Sequence, residues 1–232
     1  MPSAAHKTFL DPGSLEAAKW IGLIAMTLDH YGKIVQPDLF AETHAIGRLA
    51  FPLFAGIIGL RLANAPTLAM RYLRRLVTWA FIAQPVFVLA GRPWRDGNIL
   101  FTLALGVVVW LAMDALLSGR NRRRAWWLVA VGPLAFFCEF GPVGVLMPAA
   151  MAMASRRDLR TGLLAFGPLG VASNIVLESP ALTPVDCWAL LATPVALASP
   201  NLSRFVPRLP TFFFYAYYPA HLLALHCLDL AF

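Results

Sequence analysis

Asp29 and His30 stand side by side near the far end of the run Lys19-Trp-Ile-Gly-Leu-Ile-Ala-Met-Thr-Leu-Asp29-His30-Tyr31-Gly-Lys33. The run is long enough to cross a bilayer, and ionisable groups at membrane depth are costly unless they line a polar cavity and act there. An imidazole next to a carboxylate can serve as a general base whose tautomer the acid sets. Lys33 follows Asp29 at the i,i+4 helix spacing, so Asp29–Lys33 also has a purely structural reading as an ion pair, as does Asp29–Arg48.

Other polar residues share that level. At about 1.5 Å per residue, His30 lies ~24 Å along the helix from Ser14, in the outer half of a membrane. Arg48, in Ile46-Gly-Arg-Leu-Ala-Phe-Pro52-Leu-Phe54, opens the next apolar run, where it either joins the site or snorkels to the headgroups. Asn98, in Gly97-Asn-Ile-Leu-Phe101-Thr102, opens the fourth run, as a site residue or as a helix cap. Glu139 follows the fifth run, and His44 reads as a solvated loop residue. In the last run, His221 falls near mid-depth with Tyr218 three residues before it on the same face. His221 is either functional or bonded to a neighbouring helix. Arg71, Arg74 and Arg75 open the third run at the opposite face, as topology determinants or as a phosphate-binding rim.

The elements that position these residues follow from composition. The 232 residues are 59% hydrophobic and 13% charged, with a mean hydropathy of +0.67, against about 25% charge in soluble domains. This excludes a soluble enzyme. The net charge of +7 sits in short loops and reports topology and an anionic ligand rather than nucleic acid. Cys138, Cys187 and Cys227 have no paired spacing, so neither a disulfide framework nor a metal site is expected, and each reads as a small buried hydrophobe. Met1 to Gly13 lacks a cleavable signal pattern and reads as a cytoplasmic N-terminal segment.

Helices are predicted at about 14–35, with Ser14 as N-cap, then 46–62, 70–90 with a kink at Pro85, 98–117, 125–137, 142–154, 159–177, 184–199 and 211–230. Basic loops at Arg61 to Arg75, Arg120 to Arg124, Arg156 to Arg160 and Arg204 to Arg208 alternate with mixed or acidic ones at Asp38 and Glu42, Asp96, Glu139 and Glu178. The fold class expected is all-α: one polytopic membrane domain, residues 1–232, of about nine transmembrane helices around a polar cavity. The N-terminus is expected in the cytoplasm and the C-terminus outside.

The motifs also carry a resemblance. Lys19-x-Ile-x-x-Ile-Ala-Met-x-x-Asp29-His30, Ile46-Gly-Arg-Leu-Ala-Phe-Pro-Leu-Phe, Tyr72-Leu-Arg-Arg-Leu, Asn98-Ile-Leu-Phe-Thr-Leu, Glu139-Phe-Gly-Pro-Val-Gly-Val-Leu and Tyr218-Pro-x-His221-Leu occur in order. The chain thereby resembles the TraX family, conjugative-plasmid proteins linked to N-terminal acetylation of F-type pilin. That family looks related to the wider membrane acyltransferases of lysosomal heparan glucosaminide and bacterial envelope sugars. Where the family often has Asp-Tyr-Gly, this chain has Glu139-Phe140-Gly141, which keeps the carboxylate and loses the hydroxyl.

The resemblance implies a bacterial inner-membrane acetyltransferase that takes acetyl-CoA from the cytoplasm and has a pilin amine as acceptor. It implies Arg71, Arg74, Arg75 and Tyr218 around the donor, and Glu139 and Lys33 toward the acceptor. His30 would deprotonate the acceptor or carry the acetyl group, with Asp29 orienting it and His221 below. Arg48 and Asn98 would stabilise the thioester oxyanion. Other readings are a sugar O-acetyltransferase, a non-catalytic pilin maturation factor and a proton-coupled carrier. Against the carrier, no inverted repeat is evident.

Overall fold

Each predicted apolar run is helical in a computed structural model that describes residues 13–119, 122–178 and 183–231. Helix α1 is Glu16–Ile34, α2 is Phe40–Gly47, α3 is Ala50–Asn64, α4 is Ala69–Leu89 and α5 is Ile99–Ser118. A 3₁₀ segment, Arg122–Trp126, leads into α6, Trp127–Ala135. Then come α7 (Gly141–Arg157), α8 (Leu159–Leu164) and α9 (Phe166–Glu178). A second 3₁₀ segment, Asp186–Leu191, precedes α10 (Ala192–Leu202), and α11 is Thr211–Asp229.

Helix α7 holds the bundle together from inside. It packs against α3 and α5, and the close approach depends on glycines. A Cβ on Gly59 of α3 would meet the Pro148 carbonyl and the Met151 side chain, and one on Gly106 of α5 would meet the Pro148 ring. Small residues at such crossings let backbones touch where lipid supplies no hydrophobic drive between helices. Trp110, Phe87, Phe166, Met147 and Met151 are fully buried around this seam. Phe81, Trp94, Phe136, Phe205 and Leu230 stand exposed on the outside.

By length and composition, Pro37–Asn64 and Ile99–Ser118 are the two segments among the described residues able to cross a membrane unaided. Of the others, the seventh run divides at Ala165 and the fifth and eighth each begin as 3₁₀ helix, while α1, α4 and α11 are long enough but too polar to qualify. Pro85 sits inside α4 without ending it.

Three local expectations need correction. Ser14 does not cap α1; Leu15 is at that position with no side-chain cap. The orphan amides of Ala17 and Ala18 are met instead by the hydroxyls of Ser203 (3.0 Å) and Ser199 (3.1 Å). Those hydroxyls also donate to the Ser14 carbonyl at 3.0 Å each. His44 is not in a solvated loop: it lies in α2, folded back on α1, and is 9% exposed. Of the three cysteines, Cys138 is buried, Cys187 intermediate and Cys227 exposed. The proposed cytoplasmic segment up to residue 12, Arg120 of the second basic loop and the Glu178 side chain lie outside the described residues.

Candidate active site

A cavity of about 430 Å³ lies among α1, α3, α4 and α11. Its wall is made of helix stripes at three- and four-residue spacing, one face of each helix. These are Lys19, Met26, His30 and Lys33 of α1, and Phe51, Phe54, Ile58 and Arg61 of α3. Tyr72 and Leu76 of α4, following Leu68, and Thr211, Phe214, Tyr215 and Tyr218 of α11 complete it. Lys19 to His30 is 11 residues of one helix, so the cavity extends about 17 Å at 1.5 Å rise per residue. At one end stand Lys19, Arg61, Tyr72 and Tyr215. At the other stand Asp29, His30, Lys33, His44, Arg48, Glu139, Ser173 and Asn174.

The expected partnership of Asp29 with His30 is replaced by two separate pairs. Asp29 Oδ1 lies 2.6 Å from His44 Nδ1, and its Oδ2 accepts from Lys33 Nζ at 2.8 Å. His30 turns the other way, with Nδ1 2.9 Å from His221 Nε2. His221 Nδ1 in turn lies 2.9 Å from the Tyr217 carbonyl oxygen. A carbonyl only accepts, so this chain of bonds assigns the tautomers. His221 donates from Nδ1 to Tyr217, and its Nε2 accepts from His30 Nδ1. The lone pair of His30 is then on Nε2, in the cavity wall.

Arg48 sits in a polar corner. Its guanidinium reaches Asp186 at 3.6 Å and donates to Asn174 Oδ1 at 3.5 Å. The Asn174 amide nitrogen is buried in the cavity wall with no hydrogen-bond partner among the described residues. Two donors, one cationic and one neutral, therefore meet there. Glu139 is held at the same end because its backbone N–H donates to Gly97 O at 3.0 Å, joining the loop before α5 to the loop before α7. Its carboxylate lies 3.8 Å from Arg92. Phe140, where the hydroxyl is lost, stacks on Phe51 in the cavity wall, centroids 4.0 Å apart.

Of the expected site residues, Asp29, His30, Lys33, Arg48, Glu139 and Tyr218 line the cavity, and His221 braces it through His30. Asn98 does not. Its Oδ1 accepts from Leu100 N at 3.0 Å as the α5 cap, and its amide donates to Ala80 O and Gln84 Oε1 at 2.8 Å each. Arg71, Arg74 and Arg75 are exposed on α4. The cavity stripe there is 68–72–76; Arg71 and Arg74 fall on other faces of the same helix, and Arg75, three residues after Tyr72, stands at the stripe's edge. Arg75 alone comes within electrostatic reach of Tyr215.

Sequence reasoning missed His44, Asn174, Asp186, Lys19 and Arg61 as site residues. A signal existed for the last two: Lys19 continues the helical stripe of His30, as Arg61 continues that of Phe54. None existed for Asn174, which sits in an apolar run.

The family model described as TraX protein matches residues 14–229. Two curated relatives are similar along most of their length. One is Protein TraX of Escherichia coli, 36% identical over 229 residues, covering 94% of this chain and 88% of that protein. The other is Protein TraX of Escherichia coli strain K12, 31% identical over 227 residues with 94% and 88% covered. No solved structure matches. From its motifs, the extent of that match and the identity to both relatives, the chain belongs to the TraX family.

Proposed function

We propose that this chain is a multi-pass enzyme of the bacterial inner membrane that moves an acetyl group from cytoplasmic acetyl-CoA to an amine presented on the outer side, the N-terminus of a conjugative pilin. The observation that carries the reading is the cavity, cationic and tyrosine-lined at one end and imidazole-lined at the other. The alternating loop charge supports an orientation with the Lys19 end inside and the His30 end outside. The broken runs span as neighbours' partners rather than alone.

At the inner end, Lys19 and Arg61 meet the anionic portion of the donor, with Arg75 flanking. An extended pantetheine arm matches the length and the apolar lining of the passage, Met26, Phe54, Ile58 and Leu76. The thioester carbonyl then lies in the corner of Arg48 and Asn174, whose donors stabilise the negative charge that develops on its oxygen. His30 Nε2 takes up a proton that the acceptor nitrogen releases as the N–C bond forms, and His221 holds the ring in the required tautomer. Glu139 offers a carboxylate to the acceptor's positive charge.

The experiment is intact-mass comparison of envelope proteins from cells carrying the wild-type chain, no chain, or His30→Ala at matched protein level. The expected result is one acceptor heavier by an acetyl group only with wild type. An acetylated acceptor at wild-type level with His30→Ala refutes the catalytic assignment.

A further inference from the structure

Two stacked rings form the apolar wall beside the Arg48 corner. Phe51 and Phe140 both line the cavity, their planes 11° apart. Phe51 follows Arg48 by three residues, about one helical turn, so the two are neighbours along α3. A Cβ on Gly47 would strike Asp29 and one on Gly22 would meet the Phe54 ring, so α1 and α3 run antiparallel. That register sets Phe51 at the level of Met26, one turn inside His30. The stack is braced. Phe51 is buried, and Phe140 holds the N-cap position of α7, where its carbonyl accepts from Gly144 N at 2.9 Å. A Cβ on Gly144 would strike the Phe140 side chain and meet Phe51 and the Thr102 methyl at 3.3 Å each. Glycine there lets α7 close against the rings and back them with helix.

We infer that the Phe51–Phe140 stack sets the acyl length this cavity transfers, admitting acetyl and turning away longer saturated acyl groups. The inference rests on the acetyl-transfer reading and names the residues that hold it to two carbons. An acetyl methyl extends one carbon past the thioester carbonyl in the Arg48 corner. Beyond that corner the lining is ionisable: Asp29, His30, Lys33, His44 and Glu139. Each further methylene meets either those groups or the braced rings, and a methylene denied apolar burial forfeits a factor of about four. The bonds exchanged do not depend on chain length. In R–NH3⁺ + R′CO–S–CoA → R–NH–COR′ + HS–CoA + H⁺, the N–C bond forms, the C–S bond breaks and the sulfur leaves with a proton. Only the room for R′ differs. Trimming Phe140 to alanine opens a pocket bordered by Phe51 and the Thr102 methyl, apolar and beside the thioester.

The test gives the purified full-length chain in detergent a free-amine peptide and, in parallel, acetyl-, propionyl-, butyryl- or hexanoyl-CoA, with acyl-peptide read by mass. Wild type is expected to lose about fourfold or more in kcat/KM per added methylene. Phe140→Ala is expected to raise the butyryl-to-acetyl ratio about tenfold or more, the worth of two methylenes regained. Phe140→Val, a smaller trim, and Phe51→Ala, on the other face of the stack, are expected to shift the ratio the same way. A ratio taken within one preparation is independent of the fraction folded. A ratio unchanged in the variants, or wild type that uses butyryl-CoA as well as acetyl-CoA, would overturn the inference and leave acetyl transfer standing. Wild-type protein that transfers no acyl group from any of these donors would remove the acetyl-transfer reading itself, and this role with it.

Discussion

Replacing Asn98 by alanine separates its structural position from the oxyanion role that its motif suggests. The side chain makes three hydrogen bonds: one from Leu100 N as the α5 cap, and one each to Ala80 O and Gln84 Oε1. Loss of a helix cap costs about 1 kcal/mol, and loss of the other two bonds about 1 kcal/mol each, giving ~3 kcal/mol in total. In a chain of this size that corresponds to a melting temperature lower by about 6–12 °C. Asn98→Asp keeps the cap acceptor but sets a carboxylate against two other acceptors, so it should be no more stable than Asn98→Ala. Thermal unfolding in detergent measures the first effect, and acetyl transfer per folded molecule measures the second. The reasoning predicts a marked stability loss with transfer retained below the new melting point. An unchanged melting temperature with transfer abolished would refute it and return Asn98 to the reacting thioester.

Other substitutions report on the rest of the cavity. His221→Phe deletes the acceptor that fixes His30 Nδ1 as donor, and kcat should fall about 10²–10⁴-fold with little change in donor KM; steady-state kinetics in detergent read both terms. Lys19→Ala and Arg61→Ala should each raise the KM for acetyl-CoA about tenfold or more, the worth of one charge-assisted bond. Arg71→Ala and Arg74→Ala should change it much less, and titration calorimetry with CoA makes the comparison.

How much of this was legible in the sequence can be argued residue by residue. The helical runs were visible because apolar stretches and arginine loops leave a one-dimensional trace, and the corner residues Asp29, His30, Arg48 and Glu139 were found because topology alone sets their level. What the level cannot supply is direction around each helix. Arg71 and Arg74 have the right depth but lie off the 68–72–76 face, and Arg75 stands only at its edge. His44 follows Glu42 and Thr43 in a polar stretch, and its burial arises only when α2 folds back on α1. The α1 cap shows the same limit: the hydroxyls that satisfy Ala17 and Ala18 come from Ser203 and Ser199, more than 180 residues away. Asn98 illustrates the reverse, since Gln84 and the Ala80 carbonyl, on another helix, claim the amide.

The central claim is that one cavity carries an acetyl group from donor at the Lys19 end to acceptor at the His30 end. Liposomes containing the chain in a single orientation, with isotope-labelled acetyl-CoA supplied only to the face bearing Lys19 and a free-amine peptide only to the other, test it directly. The account predicts labelled acetyl-peptide with wild type and none with His30→Ala, and no product when the two reagents are exchanged between faces. Labelled peptide formed equally in both arrangements, or formed by His30→Ala at the wild-type rate, would contradict it.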